Sequence, residues 1–113
     1  MKKTMLSLAA AVAVLVLGPH AGQAADAKVI ELTIKGHAFH PATVEVPAGE
    51  AVIVLVKNED PTPEEFESKA LHLEKVIQGN KSAKIRIPAL KPGEYPFVGE
   101  YHEDDAKGVI FAK

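Results

Sequence analysis

From residue 28 to residue 112 apolar side chains recur at every second position, in short runs that are each cut by a turn signal. Lys28 to Lys35 sets Ile30, Leu32 and Ile34 against Val29, Glu31, Thr33 and Lys35. A period of two turns successive side chains to opposite faces of an extended chain, so this is a half-buried strand. Thr43 to Val46 is a second strand, ended by Pro47-Ala48-Gly49. Ala51 to Val56 is almost wholly apolar and β-branched, which predicts a central strand buried on both faces. Asn58 to Pro63, with two prolines and two acids, is a loop. Glu65 to Ser68, Leu71 to Ile77, Lys84 to Ile87, Glu94 to Val98 and Gly108 to Ala112 complete the set. Gln78-Gly79-Asn80 and Lys91-Pro92-Gly93 turn the chain between them. No segment after residue 25 has a helical period. Seven or eight short strands at this spacing predict an all-β antiparallel sandwich in Greek-key order. Phe66, Tyr95 and Phe97 are expected in its core, with either Ile53 and Leu55 or Val54 and Val56.

The first residues follow another pattern. Lys2 and Lys3 precede an uncharged run from Met5 to Leu17, which Gly18-Pro19 breaks. Gly22-Gln23-Ala24 then offers small residues to a signal peptidase. The run is about 13 residues, short of the roughly 20 that span a bilayer as a helix. Residues 1–24 are therefore expected to be a signal peptide and residues 25–113 one secreted, periplasmic domain without membrane insertion. Losing Lys2 and Lys3 takes the formal charge from −2 to −4. A mildly acidic domain is a poor partner for nucleic acid. Both methionines, Met1 and Met5, leave with the signal, and there is no cysteine. The mature domain therefore holds no sulfur.

Pro92-Gly93-Glu94-Tyr95-Pro96-Phe97, then Tyr101-His102, then Gly108-Val109-Ile110 resemble the C-terminal signature of the cupredoxins. Phe39-His40-Pro41, the strand from Thr43, Pro47-Ala48-Gly49 and the apolar run ending at Asn58 resemble the opening of that family. Asn58 to Ser68, Glu74-Lys75-Val76 and Leu90 to Tyr95 are closer still to the EfeO-type cupredoxins of bacterial periplasmic iron uptake. That resemblance implies a metal-binding role in iron acquisition, binding iron or copper or handling its redox state. It also implies an iron permease or a periplasmic iron-binding protein as partner. An accessory part in ferrous iron oxidation is the one enzymatic role it suggests.

Aligned on Tyr95 and Phe97, the copper cysteine of the family falls at Gly99 and the second copper histidine at His102. The axial methionine falls near Ala106 or Lys107, and the first histidine near Glu65. A type 1 blue-copper centre needs a thiolate, and this chain has none. EfeO-type sites use Cys and Glu, so the chain departs from that pattern too.

The remaining donors are carboxylates and imidazoles. Glu65 and Glu67 are two apart on a strand and share a face, with Phe66 on the other. Glu100 and His102 are two apart in the loop that carries copper ligands in the family. Glu65, Glu67, Glu100 and His102 are thus the candidate metal ligands, a donor set suited to Fe(II), Fe(III), Mn(II) or Cu(II) rather than Cu(I). His40 and His72 are weaker candidates. Glu103-Asp104-Asp105 reads as a solvated loop beside His102. Ser68 and Ser82 lack a Gly-x-Ser-x-Gly setting, no phosphate loop or zinc spacing occurs, and 5% aromatic residues are too few for a stacking platform. The second reading, from another class, is a metal-free interaction module of an uptake system.

Overall fold

A computed structural model describes residues 27–113. The signal-peptide segment, residues 1–24, lies outside them. Nine strands form: β1 (Lys28–Lys35), β2 (Ala38–His40), β3 (Thr43–Val46), β4 (Val52–Asn58), β5 (Glu64–Ser68), β6 (Leu73–Ile77), β7 (Ser82–Ile87), β8 (Gly93–Gly99) and β9 (Lys107–Ala112). The one helical element among the described residues is a 3-10 turn at Glu100–His102. The first sheet runs β2-β1-β4-β7 and the second β3-β9-β8-β5-β6. The all-β sandwich that the alternation predicts is present, but with nine strands rather than seven or eight, and it is not purely antiparallel. Its ladders are mixed, with β1 parallel to β4 and β3 parallel to β9 while the others run antiparallel. Parallel neighbours need long crossovers; sixteen residues from Gly36 to Ala51 separate β1 from β4, and the whole of the second half separates β3 from β9.

The inner faces meet in a core of Leu32, Ile34, Val44, Val46, Val52, Val54, Val56, Ile77, Ile85, Ile87 and Ile110, closed around Phe39, Phe66 and Phe97. Phe66 and Phe97 stack with centroids 4.8 Å apart, and Phe39 meets each edge-on. Offset and edge-to-face contacts suit the ring quadrupoles. Tyr95 packs against this core while its hydroxyl donates to the Lys91 carbonyl at 2.7 Å. The strand read as buried on both faces is buried on one. Val52, Val54, Val56 and Asn58 point inward, and Ile53, Leu55 and Lys57 are half-buried on the outer face. β4 is central in its sheet, but among the described residues no layer covers that sheet from outside.

The Asn58–Pro63 loop is tied at both ends. Buried Asn58 donates through Nδ2 to the carbonyls of Thr62, at 2.8 Å, and Ile77, at 3.1 Å, and its Oδ1 accepts from the Asp60 amide. Asp60 in turn accepts the amides of Gly36 and His37 at 2.8 and 2.9 Å. The His37 and Gly36 amides hold the Asp60 carboxyl below the usual carboxylate range. This lacing fixes where β5 starts and where His37 sits.

Candidate metal centre

β5 carries acids on both faces. Glu64, Phe66 and Ser68 turn toward the core, and Glu65 and Glu67 turn to the outer face of the second sheet. The ladder sets Glu67 directly across from Glu74 on β6 and from Val98 on β8. Cross-strand partners on one face stand about 5 Å apart at Cβ. Glu100, just beyond the end of β8, completes the group. One ligand oxygen from each of Glu65, Glu67, Glu74 and Glu100 lies within 4.8 Å of all the others. Glu65 is half-buried, Glu74 and Glu100 are exposed, and Glu67 is only 8% exposed.

Four acids that close repel one another when ionised, and two carboxyls hydrogen-bond only by holding a proton between them. Glu67 is pushed up from its ordinary value, first by its hydrogen bond with Glu100, then by burial and by the Glu100 charge; Lys69 opposes this. Glu100 is pushed up first by its hydrogen bond with Glu65, then by burial and the charges of Glu65 and Glu74, while its bond with Glu67 pulls the other way. Among the described residues no ion pair offsets the quartet. All-oxygen donors at this spacing suit hard or borderline cations.

Three of the four sequence candidates, Glu65, Glu67 and Glu100, are brought together here. The fourth, His102, is not in the group. Its Nδ1 stands 2.6 Å from Oε2 of Glu64, and its ring stacks on His37 with centroids 3.6 Å apart and planes 12° from parallel. Glu64 is 1% exposed, and its Oε1 also accepts the amides of Tyr101, at 2.9 Å, and Glu65, at 3.0 Å. Sequence reasoning missed Glu64, Glu74 and His37. His40 is exposed and lies 3.2 Å, through Nε2, from the Lys35 carbonyl. His72 is exposed in the β5–β6 turn with φ 54°.

The position aligned with the copper cysteine is also filled in a different way. A Cβ at Gly99 would lie 2.7 Å from Glu64 Cδ and 2.7 Å from Ala106 Cβ. Real Cβ atoms do not approach that closely, so the space holds the Glu64 carboxyl and nothing larger than glycine beside it. It is Glu64, not Glu65, that faces Gly99, His102 and Ala106. A thiolate copper centre does not fit these residues.

A family model for the cupredoxin-like domain matches residues 8–112. An uncharacterized protein of Rickettsia prowazekii (strain Madrid E) is 43% identical over 81 residues, covering 72% of this chain; the chain spans 65% of that relative's length. Among solved structures, similarity extends to the metal-binding domain, with Cu(I), of the Cu(I)-exporting P-type ATPase CopA of Streptococcus pneumoniae. The TM-score is 0.67 with 16% identity, over 75% of this chain and 84% of that one. Auracyanin A, a "blue" copper protein of Chloroflexus aurantiacus, gives 0.64 with 18% identity, over 75% and 98%. Reduced auracyanin of Roseiflexus castenholzii gives 0.63 with 19% identity, over 77% and 98%.

Proposed function

This chain belongs to the cupredoxin-like domain family, and from that premise we propose that it is a periplasmic metal-binding protein of iron acquisition. The family's fold is shared with copper-binding proteins. The observation that carries the reading is the carboxylate quartet Glu65, Glu67, Glu74 and Glu100, within 4.8 Å and with Glu67 almost out of solvent. Burying an acid among acids costs free energy that a cation at the centre offsets. In this reading Glu65, Glu67 and Glu100 are ligands, Glu74 joins them, and His102 supports the turn that presents Glu100. The ion is iron, or copper held by oxygen donors, and not a type 1 centre. The EfeO-type resemblance of Asn58 to Ser68 and Leu90 to Tyr95 supplies the setting, an iron permease or periplasmic iron-binding partner. The signal-peptide pattern of residues 1–24 supplies the compartment.

The test is direct. The mature protein is mixed separately with Fe(III) citrate, Mn(II) and Cu(II), dialysed and assayed for bound metal, with melting followed in parallel. About one ion per chain is expected for at least one metal, with a raised Tm, since a ligand that binds only the folded state at 100 times its Kd adds about 2.7 kcal/mol. Glu65→Gln and Glu67→Gln should reduce both effects, and His72→Ala should leave them unchanged. No uptake of any of the three would refute the metal-binding role and leave the metal-free interaction module.

A further inference from the structure

The quartet draws its ligands from separate parts of the chain. Glu65 and Glu67 come from β5, Glu74 from β6, and Glu100 from the turn after β8. The β5–β8 ladder consists of Phe66↔Gly99 and Glu67↔Val98 and stops there. The turn at Glu100–His102 has no side-chain cap at its N-terminus and buries no residue. The ladder thus ends one residue short of Glu65 and Glu100, which it does not pair directly.

A single buried side chain bridges the two segments there. Oε1 of Glu64 accepts the amide of Glu65 at 3.0 Å and the amide of Tyr101 at 2.9 Å. The first amide belongs to one proposed ligand, and the second belongs to the residue next to another. Oε2 takes the remaining contact, 2.6 Å to Nδ1 of His102. His102 is braced in turn by the ring of His37, whose amide is held by Asp60. Gly99 gives the Glu64 carboxyl room to reach across.

We propose that Glu64 is a positioning residue, an internal strut that ties β5 to the Glu100–His102 turn and so sets the spacing of the carboxylate quartet on the other side of the strand. The consequence for metal rests on the function proposed above. The strut itself rests only on the hydrogen bonds. One oxygen holding two amides from segments 36 residues apart acts like one more rung of the ladder, placed just past the end of β8.

Glutamine at position 64 separates positioning from charge. Its carbonyl oxygen can accept the same two amides, and its amide group can face the His102 ring, whose Nδ1 donates or accepts according to tautomer. Alanine leaves both amides and the ring without a partner. The experiment uses the mature protein and its Glu64→Ala, Glu64→Gln and His102→Ala variants. Amide hydrogen exchange is read at Tyr101 and Glu65 against core amides such as Val54. Binding of Mn(II), Cu(II) and Fe(III) citrate is read by titration.

Glu64→Ala should raise exchange at Tyr101 by about tenfold or more relative to the core, and weaken binding of whichever metal the wild type holds by a similar factor. Glu64→Gln should restore most of both. Should Glu64→Ala fail to fold, His102→Ala, which keeps both amide bonds, should show the smaller loss at Tyr101. Unchanged Tyr101 exchange in Glu64→Ala, or loss in Glu64→Gln as large as in Glu64→Ala, would overturn the strut. A wild type that binds none of the metals refutes the metal role alone, and the exchange data still decide for or against Glu64.

Discussion

Phe97 and Gly108 face each other across the β8–β9 ladder, and their contact yields a prediction that singles out the core packing. Phe97 is 1% exposed and touches both Phe39 and Phe66. Truncating a buried phenylalanine to alanine costs about 3–5 kcal/mol. A domain of this size has a total stability of roughly 4–13 kcal/mol at 0.05–0.15 kcal/mol per residue, so Phe97→Ala removes a large share of it. At about 4–8 °C per kcal/mol the melting point should fall by roughly 12–40 °C. Gly108→Ala should destabilise for the converse reason. Its Cβ would lie 2.3 Å from Phe97 Cζ and 2.9 Å from the Ala42 carbonyl oxygen, an overpacking worth about 1–3 kcal/mol. In the double variant the ring is gone while the Ala42 contact remains. The two costs should therefore fall short of additivity by about 1–2 kcal/mol, within the range seen for residues in contact. Urea unfolding of the four proteins, with equal m-values, measures the cycle. Additivity to within about 0.3 kcal/mol, or a loss in Phe97→Ala below about 1 kcal/mol, would refute the packing described here.

Three further outcomes are expected. With Cu(II) the mature protein should show no intense absorption near about 600 nm, since that band needs a copper–thiolate bond and the chain has no thiol; a blue complex in the visible spectrum would contradict this. The metal-free protein should lose stability as pH rises through and above the ordinary carboxyl range, because Glu67 and Glu100 titrate above their ordinary values in the fold. Their contribution is complete below the ordinary carboxyl pKa and disappears as pH passes their raised folded values. Asp60, shifted down, acts only below that window, losing its contribution as pH falls. Glu67→Gln should flatten the profile, and melting in calcium-free buffer across the range checks it. Mass spectrometry of the secreted protein should find the N-terminus just after Ala24 or Ala25; an N-terminus at Met1 would remove the signal-peptide proposal.

The fold was legible because period-two alternation marks a strand wherever one face is buried, and Pro-Gly turns mark where each strand stops. What the alternation could not supply was pairing. Short β2, three residues between His37 and Pro41, has no alternation to display. The parallel partners β1–β4 and β3–β9 are joined by segments too long for any local signal. The site shows the same division. That Glu65 and Glu67 share a face follows from spacing alone. That Glu74 faces Glu67 depends on the β5–β6 register, which the turn through Lys69 and His72 sets. The resemblance placed the inner ligand position near Glu65, whereas Glu64 occupies it. A slip of one residue on a strand exchanges its faces, so a small alignment shift moved a residue from the interior centre to the outer one. The stacking of His37 on His102 joins the two ends of the domain and leaves no trace in either neighbourhood.

The place of β9 governs the order in which this protein can come into being. The last strand, Lys107–Ala112, is not an edge: it lies between β3 and β8, and β3 has no other neighbour in its sheet. Every earlier strand of that sheet must wait for the final residues of the chain before β3 is joined to the rest. Pairings so distant in sequence close slowly. A chain exported N-terminus first would present β3 to the far side of a membrane as an unpaired ribbon while some 60 residues were still crossing. Completion of that sheet therefore comes last, and a truncation that removes only β9 leaves β3 without a neighbour in it.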